Sequence, residues 1–205
     1  MEVSQTVPAT ECYVLFLLEQ PGASVFEAQK ALDERYRDFT AEVSKAFPGI
    51  AVTRERADSE PPPGARPPKL RQLVLCTIDP DESKAARLLD FGIGKGLKPF
   101  CAAADNGTFG AVYYGVGDPE KTLAELLRTG TRQLLEKAGQ YAAMQNCVLD
   151  RQSYIAHRIS PEEKLRLSYN RVVITLPANF CGSDPDRIPI SLTVYGNFEL
   201  KRKNL

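Results

Sequence analysis

Apolar positions along this chain follow two rhythms, and they alternate. Tyr13-Val14-Leu15-Phe16-Leu17-Leu18 is apolar on both faces and short, which predicts a central strand closed by Pro21-Gly22. Ser24 then opens a helix, because Ser24-x-x-Glu27 has the capping-box spacing. Val25, Ala28, Leu32, Tyr36, Phe39, Val43 and Phe47 follow at steps of three or four, one continuous stripe ended by Pro48-Gly49. Strand patterns return at 50–56, where Ile50 and Val52 face the core, and at 70–78. Asp79-Pro80-Asp81-Glu82 starts a short helix running to about Phe91, with an Asp cap, proline at the first position and acids in the first turn.

Asp105-Asn106-Gly107 is a turn leading into a strand over 108–116. Asp118-Pro119-Glu120 opens a second long helix with an inner stripe of Leu123, Leu127, Gly130, Leu134, Ala138 and Tyr141. Gly130, Ala138 and Ala142 are small, so this helix is expected close against a sheet. Extended chain follows over 147–157 and 172–176. The last strand alternates cleanly: Ile190, Leu192, Val194, Phe198 and Leu200 on one face, Ser191, Thr193, Tyr195 and Glu199 on the other. That is a sheet with one wet face and the potential for an exposed edge. No repeat and no linker divides the chain. The expected architecture is a single α+β domain over 1–205, an antiparallel sheet packed against two long helices and one short helix. A proline-rich loop at 58–69 and a C-terminal strand extension at 171–205 complete it.

That loop, Ser59-Glu60-Pro61-Pro62-Pro63-Gly64-Ala65-Arg66-Pro67-Pro68, excludes a regular ladder or helix. It reads as an excursion between two strands in preference to an SH3-type ligand. Lys plus Arg equals Asp plus Glu at 26 each, so no global basic field attracts nucleic acid. Met1-Glu2-Val3-Ser4-Gln5 lacks a basic n-region and the apolar run at 13–18 is too short to span a bilayer, which points to a cytoplasmic protein without a membrane anchor. Cys12, Cys76, Cys101, Cys147 and Cys181 are odd in number and scattered, as reduced, buried thiols are.

This layout resembles the SIMPL-domain family. Leu73-Val74-Leu75-Cys76-Thr77-Ile78-Asp79 is similar to that family's strand entering a short helix, and Leu88-Leu89-Asp90-Phe91-Gly92-Ile93-Gly94-Lys95-Gly96 to the end of that helix and its small-residue turn. Val112-Tyr113-Tyr114-Gly115-Val116-Gly117-Asp118-Pro119-Glu120 resembles the strand-to-helix junction, Lys137-Ala138-Gly139-Gln140-Tyr141-Ala142 the alanine-rich helix, and 190–200 the closing strand. The chain departs from the family in having no Val-x-Gly-x-Gly-like strand before Val7 and no secretion signal of the kind many bacterial members carry. The resemblance implies an α+β fold, assembly or protein partnership (some bacterial members form rings and are linked to oxidative-stress defence, and an animal member partners a signalling kinase), and no shared catalytic residue.

Candidate chemistry is sparse. Gly92, Gly94, Lys95 and Gly96 invite an anion-loop reading. The segment follows a helix instead of opening one, so a helix C-cap explains it better. His157 is the only histidine, and zinc needs about four ligands. Asp33-Glu34, Asp81-Glu82 and Glu162-Glu163 read as solvated helix positions, and Asp184-Pro185-Asp186 as a turn without the other ligands of a calcium loop. Phe109, Tyr113 and Tyr114 lack the basic interleaving of an RNA-stacking strand. Asn106-Gly107-Thr108 is a sequon without consequence in the cytoplasm. No catalytic residue, cofactor or metal is expected. The leading expectation is a non-enzymatic protein acting by self-association or through a protein partner. The alternatives are a small-molecule pocket between sheet and helices near 92–96 and His157, and a thiol redox sensor.

Overall fold

The computed structural model describes residues 1–56, 69–104, 109–150, 154–160, 164–169 and 172–202. In chain order the elements are β1 (Glu2–Val7), β2 (Glu11–Pro21), α1 (Val25–Ala46), β3 (Ala51–Arg56), β4 (Lys69–Ile78), α2 (Glu82–Gly94), β5 (Lys98–Pro99), β6 (Ala102–Ala104), β7 (Phe109–Gly110), β8 (Val112–Val116), α3 (Glu120–Met144), β9 (Cys147–Leu149), β10 (Tyr154–Ser160), β11 (Arg166–Tyr169), β12 (Val172–Thr175), β13 (Phe180–Gly182), β14 (Ile188–Asn197) and β15 (Leu200–Arg202). The described chain is mixed α+β, with antiparallel strand pairs and three helices. It divides into two compact units: Pro8–Gly117 with Lys164–Ile188, and Met1–Val7 with Asp118–Glu163 and Pro189–Leu205.

In the first of these units β2 is the central strand. The sheet order is β13-β8-β2-β4-β3, with β5 also on β2. β2 pairs with β4 from Cys12↔Ile78 to Pro21↔Lys69, and with β8 from Glu11↔Gly115 to Val14↔Val112. Every side chain from Cys12 to Leu18 is buried, because neighbouring strands and two covered faces leave none in water. On one face the Phe16 ring meets Phe39 of α1, ring centroids 5.9 Å apart. Truncating a ring so enclosed costs about 3–5 kcal/mol. On the other face Tyr13, Leu15 and Leu17 share a core with Leu167, Ile174 and Leu176, the first two of which come from the four-stranded sheet β12-β11-β6-β7.

The second unit is built on β14, the middle strand of the order β1-β14-β10. Ile190, Leu192 and Val194 of β14 are buried. The amino terminus donates to Val194 O at 2.7 Å, and Val194 N donates to Met1 O at 2.8 Å. α3 can lie on this sheet because Gly130 has no side chain: a Cβ there would stand 2.6 Å from Val194 Cγ2 and 3.1 Å from Val3 Cγ2. β9 and β15 form a separate two-stranded ribbon.

Several expectations need correction. β14 is paired on both sides, with β1 and β10, so the strand over 190–197 is not an edge of its sheet. Its regular pairing stops at Asn197, and Leu200, 37% exposed, belongs to β15. The N-terminal stretch, left open by the absence of a glycine motif, forms β1 (Glu2–Val7). α2 is capped by Asp81, whose carboxylate accepts from Lys84 N at 2.8 Å, and runs on to Gly94; Asp79 pairs instead with Lys84 Nζ. Val25 and Tyr141 are exposed, and Leu126, outside the expected stripe, is buried. The extended chain at 147–157 is two strands in different sheets, and the strand at 108–116 is broken at Ala111. The run at 59–68, the Asp105-Asn106-Gly107 turn with its sequon, and Glu162-Glu163 lie outside the described residues.

Candidate functional site

The glycine-rich turn after α2 is a helix ending whose parts are all visible. Gly96 takes the left-handed conformation, φ +77°. Its N–H donates to Ile93 O at 2.9 Å and that of Leu97 to Gly92 O at 3.0 Å, the bond pair that closes a helix through a left-handed residue. Lys95 N–H also bonds back into α2, to Phe91 O and Gly92 O. The three N–H groups a loop would turn toward an anion are thus engaged within the cap. Gly92 serves another purpose, because a Cβ there would lie 2.3 Å from Phe16 Cε1. Helix and strand meet here without a gap. The Lys95 ammonium pairs with Glu42 at 2.5 Å and sits over the Phe91 ring.

The remaining candidates are dispersed. His157 lies on β10 opposite Val194, at a shallow depression lined also by Arg158, Ile159 and Tyr195. Tyr113 and Tyr114 are buried. Asp33 pairs with Arg54 at 2.6 Å, and Asp184 accepts from Asp186 N at 2.9 Å, closing a turn. All five thiols are free. Burial pushes the Cys12 thiol up to about 12, with help from Asp81, and that of Cys76 to about 12; Cys181 rises to about 12 through burial and Glu11. No group of three or more metal-ligating side chains occurs among the described residues. No helix among them is long and apolar enough to cross a membrane.

Two surfaces escape sequence reasoning. The first is on α3, where Leu127, Arg128, Thr131, Arg132, Leu135 and Glu136 line an open, mainly apolar groove of about 500 Å³. Leu127, Thr131 and Leu135 are spaced by four, two leucines about a threonine beside the buried Leu126 and Gly130. Leu135 is 40% exposed. The second is at the end of β2. Glu19, only 10% exposed, receives Lys69 at 2.8 Å, Arg71 at 2.9 Å and Lys98 at 2.6 Å. Burial is the largest single influence on this carboxyl and raises it. The hydrogen bonds from Lys69, Lys98 and Arg71 together outweigh that and hold it at about 2. The register explains the convergence: Glu19 faces Arg71, Pro21 faces Lys69, and Lys98 enters beside Leu17. Residues far apart in sequence meet there, so no local motif marks the place.

No model of a known protein family matches this chain, and a search of curated proteins finds none similar to it.

Proposed function

We propose that this is a non-enzymatic α+β protein of SIMPL type that works by self-association, with α3 as the contact. The resemblance in 73–79, 88–96 and 112–120 supports the family reading. The α3 groove carries the functional one: exposed Leu135 and half-buried Leu127 give the helix apolar surface that its own sheet does not cover.

The occupant is a second copy of the same helix. A two-fold contact must be self-complementary, residue i meeting j and j meeting i. An antiparallel pairing of two α3 helices about Thr131 places Leu127 of each on Leu135 of the other, and sets Arg128 of each between Arg132 and Glu136 of the other. Apolar residues meet apolar ones, and each end of the flank brings Arg128 toward Glu136 while the two Arg132 side chains share its centre. The small Thr131 at the centre permits close approach.

Light scattering across a dilution series tests this reading. Wild type gives twice the chain mass at high concentration and approaches the monomer on dilution. Leu135→Glu weakens association by about a hundredfold or more, since two leucine contacts of about 1.5–3 kcal/mol are lost. A wild-type mass equal to one chain throughout refutes the proposal.

A further inference from the structure

The end of β2 presents an unbalanced charge. Lys69, Arg71 and Lys98 surround one carboxylate, and among the described residues Glu19 is the one acid paired with them. Among the described residues, one negative charge against three positive leaves an excess of two. The layering is directional: Glu19 is 10% exposed, while Lys98 is 65%, Lys69 43% and Arg71 35% exposed. The acid lies beneath and the bases stand above it. A purely structural ion pair has no need of a second and third cation, and like charges held this close repel unless an anion sits among them. Glu19 supplies part of that anion from below, and among the described residues no second acid meets these bases.

The supports are rigid. β4 and β5 both pair with β2, so the bases project from adjacent, hydrogen-bonded strands. Arg35 ties the same strand end to the neighbouring turn from α1, donating to Glu19 O at 2.9 Å and to Gly96 O at 3.2 Å. Cations already gathered pay little ordering entropy on binding.

We infer that Lys69, Arg71 and Lys98 form a binding site for a phosphate group, whose two charges match the local excess and whose oxygens suit the Arg71 guanidinium and the two ammonium groups. The phosphate is either free, as inorganic phosphate or a small ester, or carried on a peptide. The site belongs to the unit without α3, so it stands or falls independently of self-association.

The test is a calorimetric titration of the full chain at constant ionic strength with inorganic phosphate, with a phosphoserine peptide and with its unphosphorylated form. Saturable binding of inorganic phosphate supports the site as one for a small anion. Binding of the phosphopeptide alone supports it as one for a phosphorylated segment. The double variant Lys69→Gln/Lys98→Gln, altered only at exposed ammonium groups, should bind about tenfold more weakly or worse. Glu19→Gln, which removes the competing carboxylate, should bind more tightly, and these opposite signs separate a site from an ion-pair network. No saturable response to either phosphate source overturns the inference. So does equal binding of the unphosphorylated peptide, or unchanged affinity in the lysine variant.

Discussion

Gly92, Gly94 and Gly96 crowd one turn, yet the structure requires only the first and last, for different reasons, and three alanine substitutions separate them. At Gly92 the new Cβ would stand 2.3 Å and 2.5 Å from Cε1 and Cζ of Phe16. That ring is fully buried and already against Phe39, so it must shift in a packed core. Overpacking of this kind costs about 1–3 kcal/mol, against a helix-propensity gain of up to about 1 kcal/mol. The expected balance for Gly92→Ala is a loss of about 1–2 kcal/mol. At Gly96 the backbone is left-handed, and alanine there costs about 1 kcal/mol or more. A Cβ at Gly94 meets nothing within 4 Å, and its φ is not positive. Gly94→Ala should therefore be neutral or stabilising by up to about 1 kcal/mol. Urea unfolding reads all three, with Gly94→Ala most stable, wild type next, and the other two below. Phe16→Leu combined with Gly92→Ala should recover part of the loss, since the two sites share one clash. Gly92→Ala as stable as Gly94→Ala would refute the close-packing account.

Stability should also fall in acid through Glu19. Its folded value, about 2, lies below the ordinary 4.5, so its contribution is complete above about pH 4.5 and is lost as pH falls toward 2. Because its cationic partners are partly exposed, the difference between pH 5.5 and 3 should be about 1–2 kcal/mol; Glu19→Gln should lack this component, and an unchanged pH slope in that variant refutes it. Native thiol labelling should reach at most Cys101 and Cys147 quickly, with Cys12, Cys76 and Cys181 slow because burial disfavours their thiolates. Rapid modification of Cys12 or Cys76 would instead favour the thiol-sensor reading.

What the sequence disclosed and what it withheld divide along physical lines. β2 and α1 were legible because each depends on local pattern: a run apolar on both faces, and a Ser24 cap whose Oγ accepts from Glu27 N. The inward parity of Ile190, Leu192 and Val194 was legible for the same reason. The neighbours of β14 were not, since pairing with β1 joins the two ends of the chain. Phase on α3 was only partly legible. Its apolar arc is wider than the face it buries, so Leu126 and Tyr141 exchange roles relative to a simple stripe. The Glu19 cluster was invisible, because Lys69, Arg71 and Lys98 reach it through strand register.

The antiparallel α3 contact is tested most directly by exchanging its flanking charges. Arg128→Glu places two acids opposite each other at both ends of the contact, and Glu136→Arg places two bases there, so each variant alone should be monomeric by light scattering. Mixed in equal amounts they restore both opposite-charge pairs, and the account predicts a species of twice the chain mass in the mixture. A mixture that stays monomeric while wild type dimerises, or either variant dimerising alone as well as wild type does, contradicts it.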